Sequence, residues 1–288
     1  MLPGIESTPK ELITLCLASN IFISCFRINK SDFSTISLPR NLIYYLTRFL
    51  LLPLILFWIT QKWIPNYAVS VLLISLMPTG TAAPAVTILL EGNTGLALSM
   101  VVFSSLLVPI TVPFVFYLFQ GASVNNGYGA IFVNLLLIVI VPVLVHFPLR
   151  TRARFQKWAQ NNAKFVSALL VTMIIILVIG IGRESIFSNP AYIFQSLAIV
   201  TLLYVIYYLF GWISGFGISQ RDKIGLTVTS GVNNNALGTG IALLHFAPQV
   251  ALFLIISEVP WTLGIPLFGK ALKLFKIQDA DPISKRSN

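Results

Sequence analysis

Hydrophobic stretches of about twenty residues follow one another along almost the whole chain, and no other feature limits its fold as tightly. An α-helix needs roughly 20 apolar residues to cross the hydrocarbon of a bilayer. Its backbone N–H and C=O groups must all pair internally, because lipid offers them nothing. Runs bounded by charge, proline or Asn/Gly clusters predict nine such helices, at about 10–26, 42–61, 67–90, 94–119, 128–149, 165–182, 191–214, 224–246 and 248–270. Only 10% of residues are charged, where a soluble domain carries about 25%. The 288 residues leave no room for a separate soluble domain. The expected class is therefore a single all-α, polytopic membrane domain over 1–288.

The net charge of +10 would fit nucleic acid if it lined one face. It sits instead in short loops, so the bilayer is the expected partner and nucleic acid is not. With the amino terminus outside, fifteen of the nineteen basic residues fall in inside loops, at Lys270 on the inside end of the last run, or in a basic tail over 271–288, as the positive-inside rule requires. Lys10, Lys62 and Arg183 fall outside, and Arg48 falls within a span. This orientation puts the carboxyl terminus in the cytoplasm. Residues 1–9 do not read as a signal peptide. Cys16 and Cys25 share one apolar run without a CxxC or a His partner and read as small buried hydrophobes. No phosphate-binding Gly-Lys-Ser/Thr loop, GxSxG elbow or HExxH pair occurs, so neither an enzyme nor a cofactor is expected.

Two of the nine helices are interrupted. Met77-Pro78-Thr79-Gly80-Thr81-Ala82-Ala83-Pro84 places two prolines and a glycine in the middle of the third; Pro84 removes a donor and clashes with the preceding turn. Gly231-Val232-Asn233-Asn234-Asn235 places three asparagines in the eighth, where unpaired amides facing lipid would be costly. Either interruption alone could be polar glue between helices or a simple kink. Together they form a pattern: each lies one helix before the last of its group. This is the arrangement of inverted repeats whose broken helices meet at the midplane. The repeats would span 10–119, lacking an opening helix, and 128–270.

At these residues the chain resembles the bile acid sodium symporter family. Ser31-Asp32-Phe33 looks like the family's segment after its second helix, and Pro78-Thr79-Gly80-Thr81-Ala82 like its Pro-Gly-Gly-Thr-Ala. Gly92, Leu106-Leu107-Val108-Pro109, Gly231, Asn234 and His245-Phe246 fit the following helix and the second broken one. The resemblance implies a panel and a core domain, in ten helices or in nine when the first is absent. It implies import of small organic anions such as bile acids, sulfated steroids or keto acids, usually with sodium, by alternating access. Thr79 and Thr81 with neighbouring backbone amides, and Asn233, Asn234 and Asn235, whose amides both donate and accept, are expected to hold the substrate; the resemblance carries over Thr81 and Asn234.

Sodium is where the sequence departs from the family. Positions matching its sodium ligands read Ala83, Pro84, Ala97, Val101 and Thr229, and methyl groups coordinate nothing. A glutamine that resembles a further sodium ligand is matched by Arg48, whose guanidinium is permanently charged. Arg48 would then supply a fixed positive charge where sodium would sit, or pair with the substrate anion. The competing readings are snorkelling to a headgroup and an ion pair with Glu258. Glu258, an intramembrane acid, is itself a coupling candidate, as is Thr229. Glu91 reads as a loop acid and His245 as an outer cap. Trp58, Trp63, Tyr67 and Tyr128 read as interface anchors. Two other functions remain open: a non-transporting receptor or scaffold that kept the fold, and a sodium-independent or proton-coupled exchanger.

Overall fold

The computed structural model describes residues 10–26, 38–119, 127–188 and 190–275. Arg27, Lys30, Ser31-Asp32-Phe33 and the basic tail from Lys276 onward lie outside the described residues. Apart from one isolated bridge, the described residues form helices and turns only. Among the described residues six helices are long and apolar enough to cross a membrane: Pro39–Trp63, Thr94–Leu118, Gly127–Leu149, Ala153–Leu177, Pro190–Ser214 and Pro248–Leu274. Shorter apolar helices occupy Glu11–Cys25 and Pro65–Leu76. The protein is an integral, multi-pass helical membrane protein.

The first helix, α1, spans Lys10–Cys25. The second run forms α2 (Leu38–Leu46) and α3 (Leu52–Trp63), joined by a widened π turn at Thr47–Leu51. Proline explains the widening. In a regular helix the Pro53 ring would strike the carbonyl of Phe49, so the turn opens and the Leu52 N–H reaches back to the Thr47 carbonyl. Pro142 has the same effect between α7 (Gly127–Leu135) and α8 (Val141–Leu149). The first π turn carries Arg48 and Phe49, both with no exposed surface.

The third run is broken into α4 (Ala68–Leu76) and α5 (Ala83–Leu89), and the eighth into α11 (Gln220–Gly231) and α12 (Asn235–His245). Between them lie α6 (Thr94–Leu118), α9 (Ala153–Ser188) and α10 (Pro190–Ser214). The last run bends at Ser257, separating α13 (Pro248–Ile256) from α14 (Glu258–Leu274). One helix is longer than its apolar stretch: α9 starts at Ala153 rather than near 165, because its first turns are rich in Ala, Arg, Lys and Gln and contain no breaker.

The helices pack in two groups. One is α1 with α7, α8 and α9; the other holds α4, α6 and α10–α14 around Leu72, Val108, Phe116, Tyr207 and Phe253. The groups meet where α7 lies on α6 and where α1 and α9 touch α12 and α13. Within the second group α10 lies directly on α11 at Gly211, where an added Cβ would come 2.6 Å from Thr227 Cα and 2.9 Å from the Leu226 carbonyl. Small residues allow such close approach in membranes. Both obstacles are backbone, so Gly211→Ala must separate the helices. Overpacking of this kind costs about 1–3 kcal/mol, and thermal unfolding in detergent should show a lower midpoint. Gly129→Ala is the control, since nothing lies within 4 Å of its added Cβ.

Candidate functional site

The two interruptions meet each other. Extended residues between α4 and α5 run antiparallel to those between α11 and α12, with Thr79 opposite Asn233. The Gly80 N–H donates to the Val232 carbonyl at 2.7 Å, and the Asn234 N–H to the Pro78 carbonyl at 2.8 Å. Each break thus satisfies backbone groups that the other would leave unpaired at depth. Gly80 is required by proximity: a Cβ there would lie 2.7 Å from the Asn233 carbonyl oxygen. Ser104 of α6 accepts from the Thr79 N–H at 3.0 Å, and the Thr79 hydroxyl donates to the Thr229 carbonyl at 3.1 Å.

The asparagine triplet divides its work. Asn233, buried, donates through Nδ2 to the Ile74 carbonyl at 3.1 Å, near the end of α4. The Asn234 side chain caps α12, accepting from the Leu237 N–H at 3.2 Å. Asn235 accepts from the Tyr204 hydroxyl at 2.9 Å, while its Nδ2 is buried without a partner. Thr79, Asn233 and Asn235 are buried; Thr81 and Asn234 are half-buried, the two of this group that retain access.

Arg48 projects from its π turn into the crossover. Its Nε donates to Ser230 Oγ at 2.8 Å and, at 3.2 Å, to the Ser230 carbonyl. Nη1 donates to the Ser75 carbonyl at 3.2 Å; Nη2 donates to the Ser230 carbonyl at 2.7 Å and to Asn233 Oδ1 at 3.0 Å. Tyr207 and Phe49 cover the guanidinium, their ring centres 4.1 and 4.8 Å from Cζ, a cation–π arrangement. Ser75 and Ser230 sit at the carboxyl ends of α4 and α11, where the helix dipoles are negative. The charge is therefore compensated by backbone oxygens of both broken helices.

This corrects the two alternative readings of Arg48. It does not snorkel, since none of its surface is exposed. It does not pair with Glu258, because its partners are carbonyls, a hydroxyl and an amide. Among the described residues the geometric salt bridge is Arg40–Asp222, at 3.4 Å. Glu258 stands at the first turn of α14, half-buried, and is not among the guanidinium's hydrogen-bond partners. His245 is not an outer cap: it is buried at the end of α12, with Nε2 2.9 Å from Asn134 Nδ2 of α7. Tyr67 likewise lies inside, its hydroxyl on Gln195 at 2.8 Å, whereas Trp58 and Trp63 are exposed. Glu91 is exposed with a positive φ of 59°, as suits a loop acid.

Of the positions that the resemblance marks for sodium, Thr229 alone carries a side-chain oxygen. Ala83 and Val101 belong to a buried cluster with Val228 and Val232, and Ala97 is fully buried. Pro84 opens α5, and the Thr229 hydroxyl turns back to the Leu226 carbonyl at 2.9 Å. Ser75, Ser230, Tyr204 and Tyr207 belong to the site without having been singled out in the sequence. Tyr204 and Tyr207 are three apart on one helix face, a polar spacing visible in an apolar run; Ser75 and Ser230 offered no such signal. A cavity of about 480 Å³ opens between the two helix groups, lined by Glu11, Thr14 and Ala18 of α1, Asn134 of α7 and His245 of α12. It lies at the far end of α12, roughly 15 Å along the helix from the crossover.

A sequence model of the sodium bile acid symporter family matches residues 14–189, which include the first broken helix and stop before the second. A Bacillus subtilis protein described as the uncharacterized sodium-dependent transporter YocS is 25% identical over 256 residues, covering 86% of this chain and 79% of its own length. The probable sodium/metabolite cotransporter BASS1 of Arabidopsis thaliana chloroplasts is 24% identical, over 78% of this chain and 57% of that protein. Human sodium/bile acid cotransporter 4 is 25% identical, over 71% of this chain and 48% of that protein. The match over more than half of the residues makes this chain a member of the sodium bile acid symporter family, a family of transporters and not of enzymes.

Proposed function

We propose that this protein is a secondary transporter of small organic anions, of the bile-acid, carboxylate or sulfate type, in which Arg48 is a tethered cation in the place where relatives use sodium. The observation that carries this reading is the buried guanidinium held by Ser75, Ser230 and Asn233. Sodium prefers several hard oxygen ligands; here Arg48 engages those of Ser75, Ser230 and Asn233, and of the matched side chains only Thr229 has an oxygen, turned to the Leu226 carbonyl. The permanent charge makes the crossover electropositive, which suits an anion next to the half-buried Thr81 and Asn234 and the amino end of α12.

In this reading the chain makes nine passages: α1, α2–α3, α4/α5, α6, α7–α8, α9, α10, α11/α12 and α13–α14. The repeats run over 10–119 and 128–270, with the amino terminus outside. Alternating access comes from the group containing α1 and α7–α9 moving against the rest. The cavity beside His245 is then an outer vestibule, and the Asn134–His245 contact joins the moving groups at its floor.

Uptake into proteoliposomes of labelled bile acids, steroid sulfates and keto acids, with and without a sodium gradient, is the test. Saturable uptake that is indifferent to sodium is expected. Uptake that requires sodium would overturn the role of Arg48, and the absence of saturable flux under any gradient would favour a receptor or scaffold.

A further inference from the structure

Glu258 takes no part in the Arg48 network, yet it lies within electrostatic reach of Tyr204, which donates to Asn235 at the crossover. Among the described residues it has no hydrogen-bond or ion-pair partner. Its surroundings hold donors without acceptors. Trp261, three residues along and so on the same face of α14, has its Nε1 buried and unpaired. Tyr208 of α10 rests against Gly264, further along α14, and its hydroxyl is also unpaired. Tyr204, one turn before Tyr208, lies within electrostatic reach of Glu258 and donates to Asn235 Oδ1, whose own Nδ2 is the third buried donor without a partner.

Among the described residues Glu258 forms no ion pair. Of the two helices that contact α14 most closely, α10 presents Tyr204 and Tyr208 and turns Tyr207 toward Arg48, while α13 contains no titratable residue. Lys270 and Lys273 are three turns or more along α14. An unpaired carboxylate at membrane depth is expensive, and a neutral carboxylic acid is not.

From this arrangement we infer that Glu258 is a proton-binding site that couples proton movement to the crossover. The acid takes a proton from hydronium on one side, giving a neutral carboxyl and water, and returns it to water on the other side. When deprotonated, its two oxygens become acceptors for the Trp261 and Asn235 donors. Because Asn235 starts α12 and adjoins Asn234 and Asn233, that regrouping acts directly on the substrate site through Tyr204 and Asn235. The coupling role rests on the transport reading above; the proton site does not.

Infrared spectroscopy of the purified protein tests the site without any substrate. With nine Asp and Glu residues in the chain, the carbonyl stretch of a protonated carboxyl can be assigned by substitution. A band that disappears as pH rises over roughly 5 to 9, and is missing from Glu258→Gln, is expected. Tyr204→Phe, which keeps the acid, should shift that titration and covers the case in which Glu258→Gln misfolds. A Glu258 band that is absent, or that persists unchanged across the range, overturns the proposal.

In proteoliposomes with tritiated taurocholate as the probe, an acid-outside gradient should raise accumulation up to about tenfold per pH unit for one proton per anion. In Glu258→Gln the ratio of uptake with and without the gradient should fall to one. A titrating band with uptake indifferent to the pH gradient rejects coupling alone. Absence of all taurocholate uptake bears on the transport reading and leaves the infrared result to decide the proton site.

Discussion

Arg48→Gln is expected to lose most transport and much stability, and to acquire a response to sodium that the proposed function denies to the parent protein. The guanidinium makes five contacts, to Ser230 Oγ, the Ser230 carbonyl twice, the Ser75 carbonyl and Asn233 Oδ1. A glutamine amide has two donors and no charge, so at least one buried carbonyl and the dipoles of two helix ends lose their partner. Removing one member of a buried charged network costs about 3–5 kcal/mol. Uptake should fall by at least about tenfold if half of that cost bears on the working conformation, since 1.4 kcal/mol is a factor of ten. The vacated oxygens are hard ligands of the kind sodium prefers, so sodium should raise the unfolding midpoint of Arg48→Gln and leave the parent unchanged. Arg48→Lys keeps the charge but not the fork and should fall between. Uptake by Arg48→Gln at the parent level, with normal expression, would falsify the tethered-cation reading.

The second large effect is expected at Gly80. A side chain there meets Asn233 O at 2.7 Å, Asn233 C at 3.1 Å and Val232 O at 3.3 Å, all backbone of the opposing segment. Gly80→Val therefore pushes apart the two segments joined by the Gly80–Val232 and Asn234–Pro78 hydrogen bonds. Unpaired backbone groups at membrane depth cost several kcal/mol each. Transport should be abolished and the unfolding midpoint lowered well beyond the effect of Gly211→Ala, with Gly80→Ala a milder version. Parent-level uptake by Gly80→Val would mean that the segments need not cross for the protein to work.

Much of this site was legible because local chemistry wrote it. Proline lacks a donor, and consecutive asparagines cannot face lipid, so Pro78, Pro84 and Asn233–Asn235 marked the breaks from residue types alone. Arg48 announced itself as a charge in an apolar run. Its partners did not. The obvious acid, Glu258, was the natural partner by charge; the actual partners are oxygens 27 and 182 residues away, contributed by helix ends that exist only because those helices break. The asparagines show the same limit. Their polarity was evident, but which one would brace α4, which would cap α12 and which would keep an unpaired amide depends on what the crossover brings beside each. His245 and Tyr67 were misplaced at the surface for a related reason: their position near the ends of apolar runs says nothing about a neighbour such as Asn134 or Gln195 that can take their polar atoms inside.

Sequence by itself therefore determined a multi-pass helical membrane protein, two interrupted helices and a permanent charge within one span, because hydropathy, proline and guanidinium chemistry act residue by residue. Only the tertiary structure decided that the interruptions pair antiparallel, that Arg48 is compensated by carbonyl dipoles, and that Glu258 is left among donors without a partner. Those outcomes depend on which helix ends meet, and such meetings are set by packing between residues far apart in the chain.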